Sequence, residues 1–405
     1  MLPTAKATIL YLNHVSQMSG AEASLLCLVA HLDTRSFRII AGVTGTGPFV
    51  DELRRADIEV ARIDHPRFHR TLSPTGLLAQ YLELRRAARR IAGFVAERGI
   101  DLVHANSLSS ALCAAHALPK DVPLIWHARD LHLPPGPTRW VIRRARAVIA
   151  ISQAVANALA RVSREAAAKT TVIHNGLDTD AFSPRDSRAR VLESLGLPEE
   201  AVLVGGVGQL VPWKNWPVFL RVGADVAARI PRLHLLIIGG DLFDDHPGHE
   251  RRLRALADRL AIGRITHFLG YRRDILDLVS ALDVFVHCAE EEPLGRAVME
   301  AMALERPVVA VGAAGPAELI TDGETGLLAP AATPYSMTER VTRVLKDREL
   351  SRRLGQAARH RIRTSFRPED TARMVGEVYR AVLWDTGGLR GETAADSVPD
   401  AWDRV

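Results

Sequence analysis

The feature that most constrains this chain is an order of elements that begins twice. Residues 8–12 form a short apolar run that enters the polar, glycine-containing stretch 13–20 and then a helical pattern. Residues 201–207 do the same, entering 208–215 and another helical pattern. After each start, β-rich runs alternate with longer amphipathic stretches. The runs are 38–43, 102–104, 123–126, 147–151 and 171–173 in the first half, and 233–238, 265–268, 284–287 and 308–311 in the second. Helical patterns at 76–97, 218–229 and 251–261 fall between them. Such alternation means parallel sheets covered on both faces, because each crossover must return along the sheet as a helix. No short sequence repeat accompanies the restart, so the chain reads as two doubly wound units and not a solenoid.

The length of 405 residues fits two domains of about 150–200 residues. The boundary is expected in the polar stretch 182–190, which carries Pro184. The expected division is therefore 1–182 and 183–366, with a helix over 367–384 crossing back onto the first domain. The Gly-, Asp- and Ala-rich end, 385–405, reads as a flexible tail.

No apolar run approaches the roughly 18–20 residues that span a bilayer. The N-terminus lacks the long apolar core and cleavage site of a signal peptide. Cys27, Cys113 and Cys288 are odd in number and widely spaced, matching neither a zinc site nor a disulfide framework. A cytoplasmic protein is expected, with peripheral contact at the inner face of the cell membrane left open. The net charge of +5 suits anionic partners such as sugar nucleotides or phospholipid headgroups, and no nucleic-acid-binding module is recognisable. Arg85, Arg86, Arg89 and Arg90 in one helix, and Arg139, Arg143, Arg144 and Arg146 in or near another, read either as solvated faces or as a docking surface for an anionic membrane.

The chemistry concentrates after the run 284–287, in Glu290-Glu291-Glu292-Pro293-Leu294-Gly295-Arg296 and on to Glu300. Proline and glycine suit a strand-to-helix turn with Pro293 just inside the helix. The backbone N–H groups of Leu294, Gly295 and Arg296 would then face a phosphate at a helix start. Glu292 and Glu300 are separated by seven residues, an offset of roughly 8–9 Å if most of the interval is helical. That spacing suits two diols of one ligand, since a carboxylate offers two acceptor oxygens. Glu290 and Glu291 read as a solvated acidic helix cap. A second element, Val207-Gly208-Gln209-Leu210-Val211-Pro212-Trp213-Lys214-Asn215, also follows a strand, and Lys214 there suits a leaving diphosphate. In the first half, Gly20 permits close approach in the opening turn. His127 is expected to face the cleft from a strand end, with a buried histidine bonded to backbone as the plain alternative. Arg129 and Asp130 read as a pair, and Asn106 as a turn residue or part of an acceptor pocket. Asp244-Asp245-His246 has no further ligands at metal spacing, so no metal is expected.

These windows together resemble the retaining glycosyltransferases of family four, which have the GT-B fold. The window Glu292 to Glu300 resembles their E-x7-E motif. Ser19-Gly20-Ala21-Glu22, His174-Asn175-Gly176-Leu177-Asp178, Phe268-Leu269-Gly270-Tyr271-Arg272 and Asp322-Gly323-Glu324-Thr325-Gly326 resemble others of their elements in the same order. The resemblance covers about residues 8–383. It implies two Rossmann-like domains facing each other across a cleft, and transfer of a sugar from a nucleoside diphosphate without a metal or other cofactor. Lys214, Glu292 and His127 would act on the reaction. Gly20, Gln209, Tyr271, Arg272, Leu294, Gly295, Arg296 and Glu300 would join Lys214 in binding the donor. Asn106 and Arg129 would lie on the acceptor side, and the acceptor could be lipid-linked. Gln209 stands where the family usually has arginine, and Arg296 is the candidate substitute for that charge. A sugar-nucleotide epimerase or hydrolase, and a non-catalytic sugar-nucleotide binder, are the alternatives.

Overall fold

The computed structural model describes residues 6–68 and 73–385. Apart from Asp385, the expected tail lies outside the described residues. Among the described residues, thirteen parallel strands form two sheets. The first holds β1 (Ala7–Asn13), β2 (Phe37–Val43), β3 (Glu59–Arg62), β4 (Leu102–Ala105), β5 (Leu124–Ala128), β6 (Ala147–Ala150) and β7 (Thr170–Val172), in the order β3-β2-β1-β4-β5-β6-β7. The second holds β8 (Val202–Val207), β9 (Leu233–Ile238), β10 (Thr266–Gly270), β11 (Val284–His287), β12 (Val308–Val311) and β13 (Leu327–Ala329), in the order β10-β9-β8-β11-β12-β13. The central strands are buried on both faces, as the uninterrupted run Ile9, Leu10, Tyr11 and Leu12 requires. Each sheet reverses its winding once, between β1 and β4 and between β8 and β11. At such a switch point the connecting loops diverge and leave a crevice at the strands' carboxyl ends.

Three details depart from the sequence reading. Edge strands β3 and β13 were not anticipated, because four residues of mixed character and three next to a glycine turn carry too short a pattern. The expected linker already contains the start of the helix Arg188–Ser194. The helix after β11 begins at Arg296, so Pro293 precedes it, and less of the Glu292–Glu300 interval is helical than expected.

After the helix Arg348–Ser365 the chain enters the helix Pro368–Asp385. Its Ala372, Val375 and Tyr379 join the core formed by Ile9, Tyr11 and Phe37 of the first sheet and Leu25 of the helix Gly20–His31. Gly176 makes that return possible. A Cβ there would stand 2.5 Å from Pro368 Cα, and the next residue, Leu177, donates its N–H to the Phe366 carbonyl at 3.0 Å. Gly176→Ala is expected to cost about 1–3 kcal/mol through this backbone clash. A lower urea midpoint checks it, whereas an unchanged midpoint would show that the junction yields freely.

Candidate active site

Both switch points carry polar side chains, and the loops bring them to the same region between the sheets. On the second sheet, β8 leads through Gly208 into a single 3-10 turn, Pro212–Lys214, and Asn215 takes a left-handed conformation (φ 58°) before the helix Trp216–Ala227. Asparagine tolerates that conformation better than most residues. The reversal folds the Lys214 stem over Gly208, where a Cβ would meet its Cδ and Cε at 3.5 Å. Lys214 Nζ reaches Glu292 Oε2 at 2.5 Å and lies 4.2 Å from the Trp213 ring centroid. His287 Nε2, from the end of β11, stands 3.1 Å from the same carboxylate oxygen, off the axis of a hydrogen bond. Burial alone would push the Glu292 carboxyl up. The Lys214 ammonium and the His287 ring outweigh it and hold the group at about 2.

The turn after Glu292 is fixed from both domains. Ser152 of the first domain donates its hydroxyl to the Pro293 carbonyl at 2.5 Å, and Gly315 donates its N–H to the Glu292 carbonyl at 2.9 Å. Gly315 must be glycine, since a Cβ would fall 2.2 Å from Leu294 Cα. Leu294 is buried. Gly295, at φ 100°, starts the helix Arg296–Ala303 with no side-chain cap. The first-turn amides of that helix therefore have no upstream helical carbonyl to bond. Arg296 is already engaged: Nε donates to Glu300 Oε1 at 2.9 Å and Nη1 to Ser24 Oγ at 3.2 Å. Its Cδ lies 3.7 Å from the position a Cβ would take on Gly20, so the opening turn of the first domain faces this helix. Burial pushes the Glu300 carboxyl up, and Arg296 opposes that rise.

Other expected donor residues are placed differently. Gln209 uses its carbonyl to accept the Trp216 indole N–H at 2.8 Å. Tyr271 is exposed, and Arg272 forms a two-pronged pair with Asp274 at 2.7 and 2.6 Å. Glu290 and Glu291 do not cap the helix. Glu290 accepts the Ala332 N–H at 3.1 Å, and Glu291 pairs with His132 of the first domain at 2.7 Å. Asp245 pairs with Arg67 at 2.8 Å, and Asp241 accepts the N–H groups of Asp245 and His246. The gap beside Lys214 and His287 holds about 10 Å³, room for a single water at most. A roomier cavity of about 580 Å³ lies between the domains, beside Glu290, Glu291, His132 and Glu318. Glu318 joins the domains there. Its carboxylate accepts the N–H groups of Gln153 and Ala154 at 2.8 and 2.9 Å, and His174 Nε2 lies 2.8 Å away.

On the first sheet the candidates form a buried network instead of an open lining. Arg129 does not pair with Asp130. Its Nε donates to Asn106 Oδ1 at 2.8 Å and Nη1 to Asn175 Oδ1 at 3.2 Å. Asn106 donates to Asn13, and Asn13 donates to Glu22, which also closes the capping box with Ser19. Asn106 is thus buried within this network. His127 is also fully buried, and its partners are side chains, not backbone. Arg129 Nη2 lies 3.3 Å from His127 Nδ1, and His104 Nε2 lies 3.1 Å from it. A guanidinium can only donate, so His127 Nδ1 accepts and Nε2 carries the proton. His104 Nε2 must then donate, which leaves its Nδ1 to accept from Tyr379 Oη at 2.7 Å; Tyr11 Oη meets Tyr379 Oη in turn. Burial, then the Arg129 charge, holds both histidines well below the ordinary range, so both are neutral. The chain of donors ends at His127 Nε2, which is buried without a partner among the described residues.

Tyr379→Phe removes the donor to His104 Nδ1 and leaves that nitrogen unpaired. A loss of about 1–3 kcal/mol is expected. Imidazole nitrogen NMR should show His104 as the Nε2–H form in both proteins, because Arg129 still makes His127 Nδ1 the acceptor. A His104 Nδ1–H form in either protein would contradict the assigned direction.

Comparison with known proteins agrees with this architecture. Residues 18–181 match the model described as Glycosyltransferase Family 4, and residues 187–361 match Glycosyl transferases group 1. The two matches run in tandem over most of the chain. It belongs to the glycosyltransferases of the family-four type, with the GT-B fold. The lipopolysaccharide core biosynthesis mannosyltransferase LpcC of Rhizobium leguminosarum bv. viciae is 29% identical over 61% of this chain and 68% of its own. A D-inositol 3-phosphate glycosyltransferase of Corynebacterium urealyticum is 30% identical over 53% of this chain and 52% of its own, so the match reaches only about half of that relative's length. Among solved structures, Anabaena HepE in complex with UDP and glucose superposes with a TM-score of 0.79 at 25% identity, covering 92% of this chain and 99% of that one.

Proposed function

We propose that this glycosyltransferase moves a sugar from a nucleoside diphosphate to an acceptor, with retention at the anomeric carbon and without a metal ion. One observation carries the reading: an ammonium, Lys214, and a buried carboxylate, Glu292, meet at the second sheet's switch point beside a helix that starts on an uncapped glycine. A diphosphate at that helix start would compete with Glu292 for Lys214. The ammonium and the helix amides would then stabilise the charge that grows as the diphosphate departs. Glu292 would be freed to hold sugar hydroxyls, and Glu300 the ribose. His127 Nε2–H would serve the sugar as a neutral donor once the domains move apart and re-close around it. Gly20 would admit the diphosphate from the other side, with Gln209, Tyr271, Arg272 and the Leu294 to Arg296 turn completing the donor site. Asn106 and Arg129 would act through the network that holds His127.

HepE was solved with UDP and glucose, and LpcC is named a mannosyltransferase, so glucose and mannose donors are the first to test. The acceptor would belong to polysaccharide, glycolipid or other glycoconjugate synthesis, on the inner face of the cell membrane. A thermal-shift screen of sugar nucleotides identifies the donor, because a ligand of the folded state raises its stability. NMR of the product then reads the anomeric configuration, with and without a chelator. A product of retained configuration at an unchanged rate in chelator is expected. Free sugar or an epimer from donor alone, or tight binding with no transfer to any acceptor, would overturn the reading.

A further inference from the structure

The helix Pro74–Arg98 is longer than the sheet it covers. It connects β3 to β4 and runs antiparallel to the strands, so its N-terminal end lies at their carboxyl edge. Arg90 marks where that edge is: its Nη1 donates to the carbonyl of Asp64, just beyond β3. The first buried residue of the helix is Ala87. Leu84 already packs against the core, so residues 74–83 lie beyond it over about 15 Å at ~1.5 Å per residue.

What projects is not ordinary surface. Leu77, Leu78, Tyr81 and Leu82 are 45–59% exposed. They are half of the large apolar side chains exposed among the described residues, gathered in one stretch, so they form a patch and not scatter. At 100° per residue they occupy an arc of about 140°. Arg85 and Arg89 fall within the same arc, Arg86 just beyond it, and all three are exposed. Among the described residues no carboxylate pairs with Arg85, Arg86, Arg89 or Arg90, and Arg85 lies against Tyr81. The second basic segment differs. Arg139 and Arg144 donate to carbonyls, and Arg146 pairs with Asp385.

We propose that the projecting end of this helix docks on an anionic lipid bilayer. The apolar tip enters the boundary between headgroups and acyl chains, and the arginines behind it meet lipid phosphates. Charge decides the occupant. A second copy packed isologously on this face would set one unpaired arginine cluster against another, whereas anionic headgroups neutralise it. The helix end stands at the carboxyl edge that also carries Gly20 and Asn106, so a bilayer held there faces the first domain's switch point. That a lipid-linked acceptor enters from this side rests on the proposed transferase reading; the docking itself does not.

The test uses the full chain without substrate, so failure to dock and failure to transfer are separate results. Co-sedimentation is measured with vesicles of phosphatidylcholine alone and with phosphatidylglycerol added. Binding is expected only with phosphatidylglycerol, weakening in high salt. Leu78→Glu/Leu82→Glu and Arg86→Glu/Arg89→Glu alter exposed positions only, and each should lower partitioning at least tenfold with unchanged thermal stability. Equal binding to both vesicle types, or unchanged partitioning of either variant, would overturn the proposal. So would light scattering that shows a dimer in the parent and a monomer in Leu78→Glu/Leu82→Glu.

Discussion

Lys214→Met is expected to lower the turnover of sugar transfer by roughly 10²–10³-fold, the scale of losing one preorganised charge-stabilising group in a dry site. It should also destabilise the fold. Glu292 is 7% exposed, and removing its ammonium leaves a buried carboxylate facing His287. Breaking one side of such a pair costs about 3–5 kcal/mol. The two effects separate in the double variant. Lys214→Met/Glu292→Gln replaces the charges with neutral groups of similar volume and should recover most of the lost stability while recovering none of the turnover. Denaturation midpoints and steady-state rates for the three proteins check this. If the double variant regained turnover along with stability, Lys214 would be a structural partner of Glu292 and nothing more.

The second large effect is on acid stability. Glu292 titrates at about 2 in the folded chain, against 4.5 as its ordinary value. A carboxyl depressed on folding adds stability above its unfolded pKa and loses it as pH falls through the folded one. The difference corresponds to about 3 kcal/mol. The advantage of the parent over Glu292→Gln should be complete above about pH 5 and shrink steadily towards pH 2. Urea midpoints of both proteins across that range measure it. A gap independent of pH would show that the carboxylate is not held ionised by Lys214.

The double-wound plan was legible because buried parallel strands need unbroken apolar runs, and such runs as 8–12, 233–238 and 308–311 stand out between amphipathic helices. Edge strand β3 escaped because its four half-covered residues are of mixed character, and β13 because three residues beside a glycine turn are too short a run. Lys214, Glu292 and Gly295 were recognisable from their place after strands. Their mutual contact was not, since it depends on how β8 and β11 pair across the sheet. The capping box of Ser19 and Glu22 can be read from spacing alone. Nothing in sequence connects Tyr379 to His104, which lies 275 positions away and meets it only because the last helix crosses between domains. Arg129 suggested a pair with its neighbour Asp130, yet successive residues on an extended chain point apart. Its partners came from β4's end and from the loop beyond β7.

The central claim is that Lys214 and the helix entrance at Gly295 hold a diphosphate. Calorimetric titration of UDP, GDP and ADP into the parent, Lys214→Met and Lys214→Met/Glu292→Gln measures that directly. At least one nucleotide should bind the parent, and both variants should bind it at least tenfold more weakly, the double variant doing so from a fully folded state. Equal affinity in the parent and the folded double variant would place the diphosphate elsewhere.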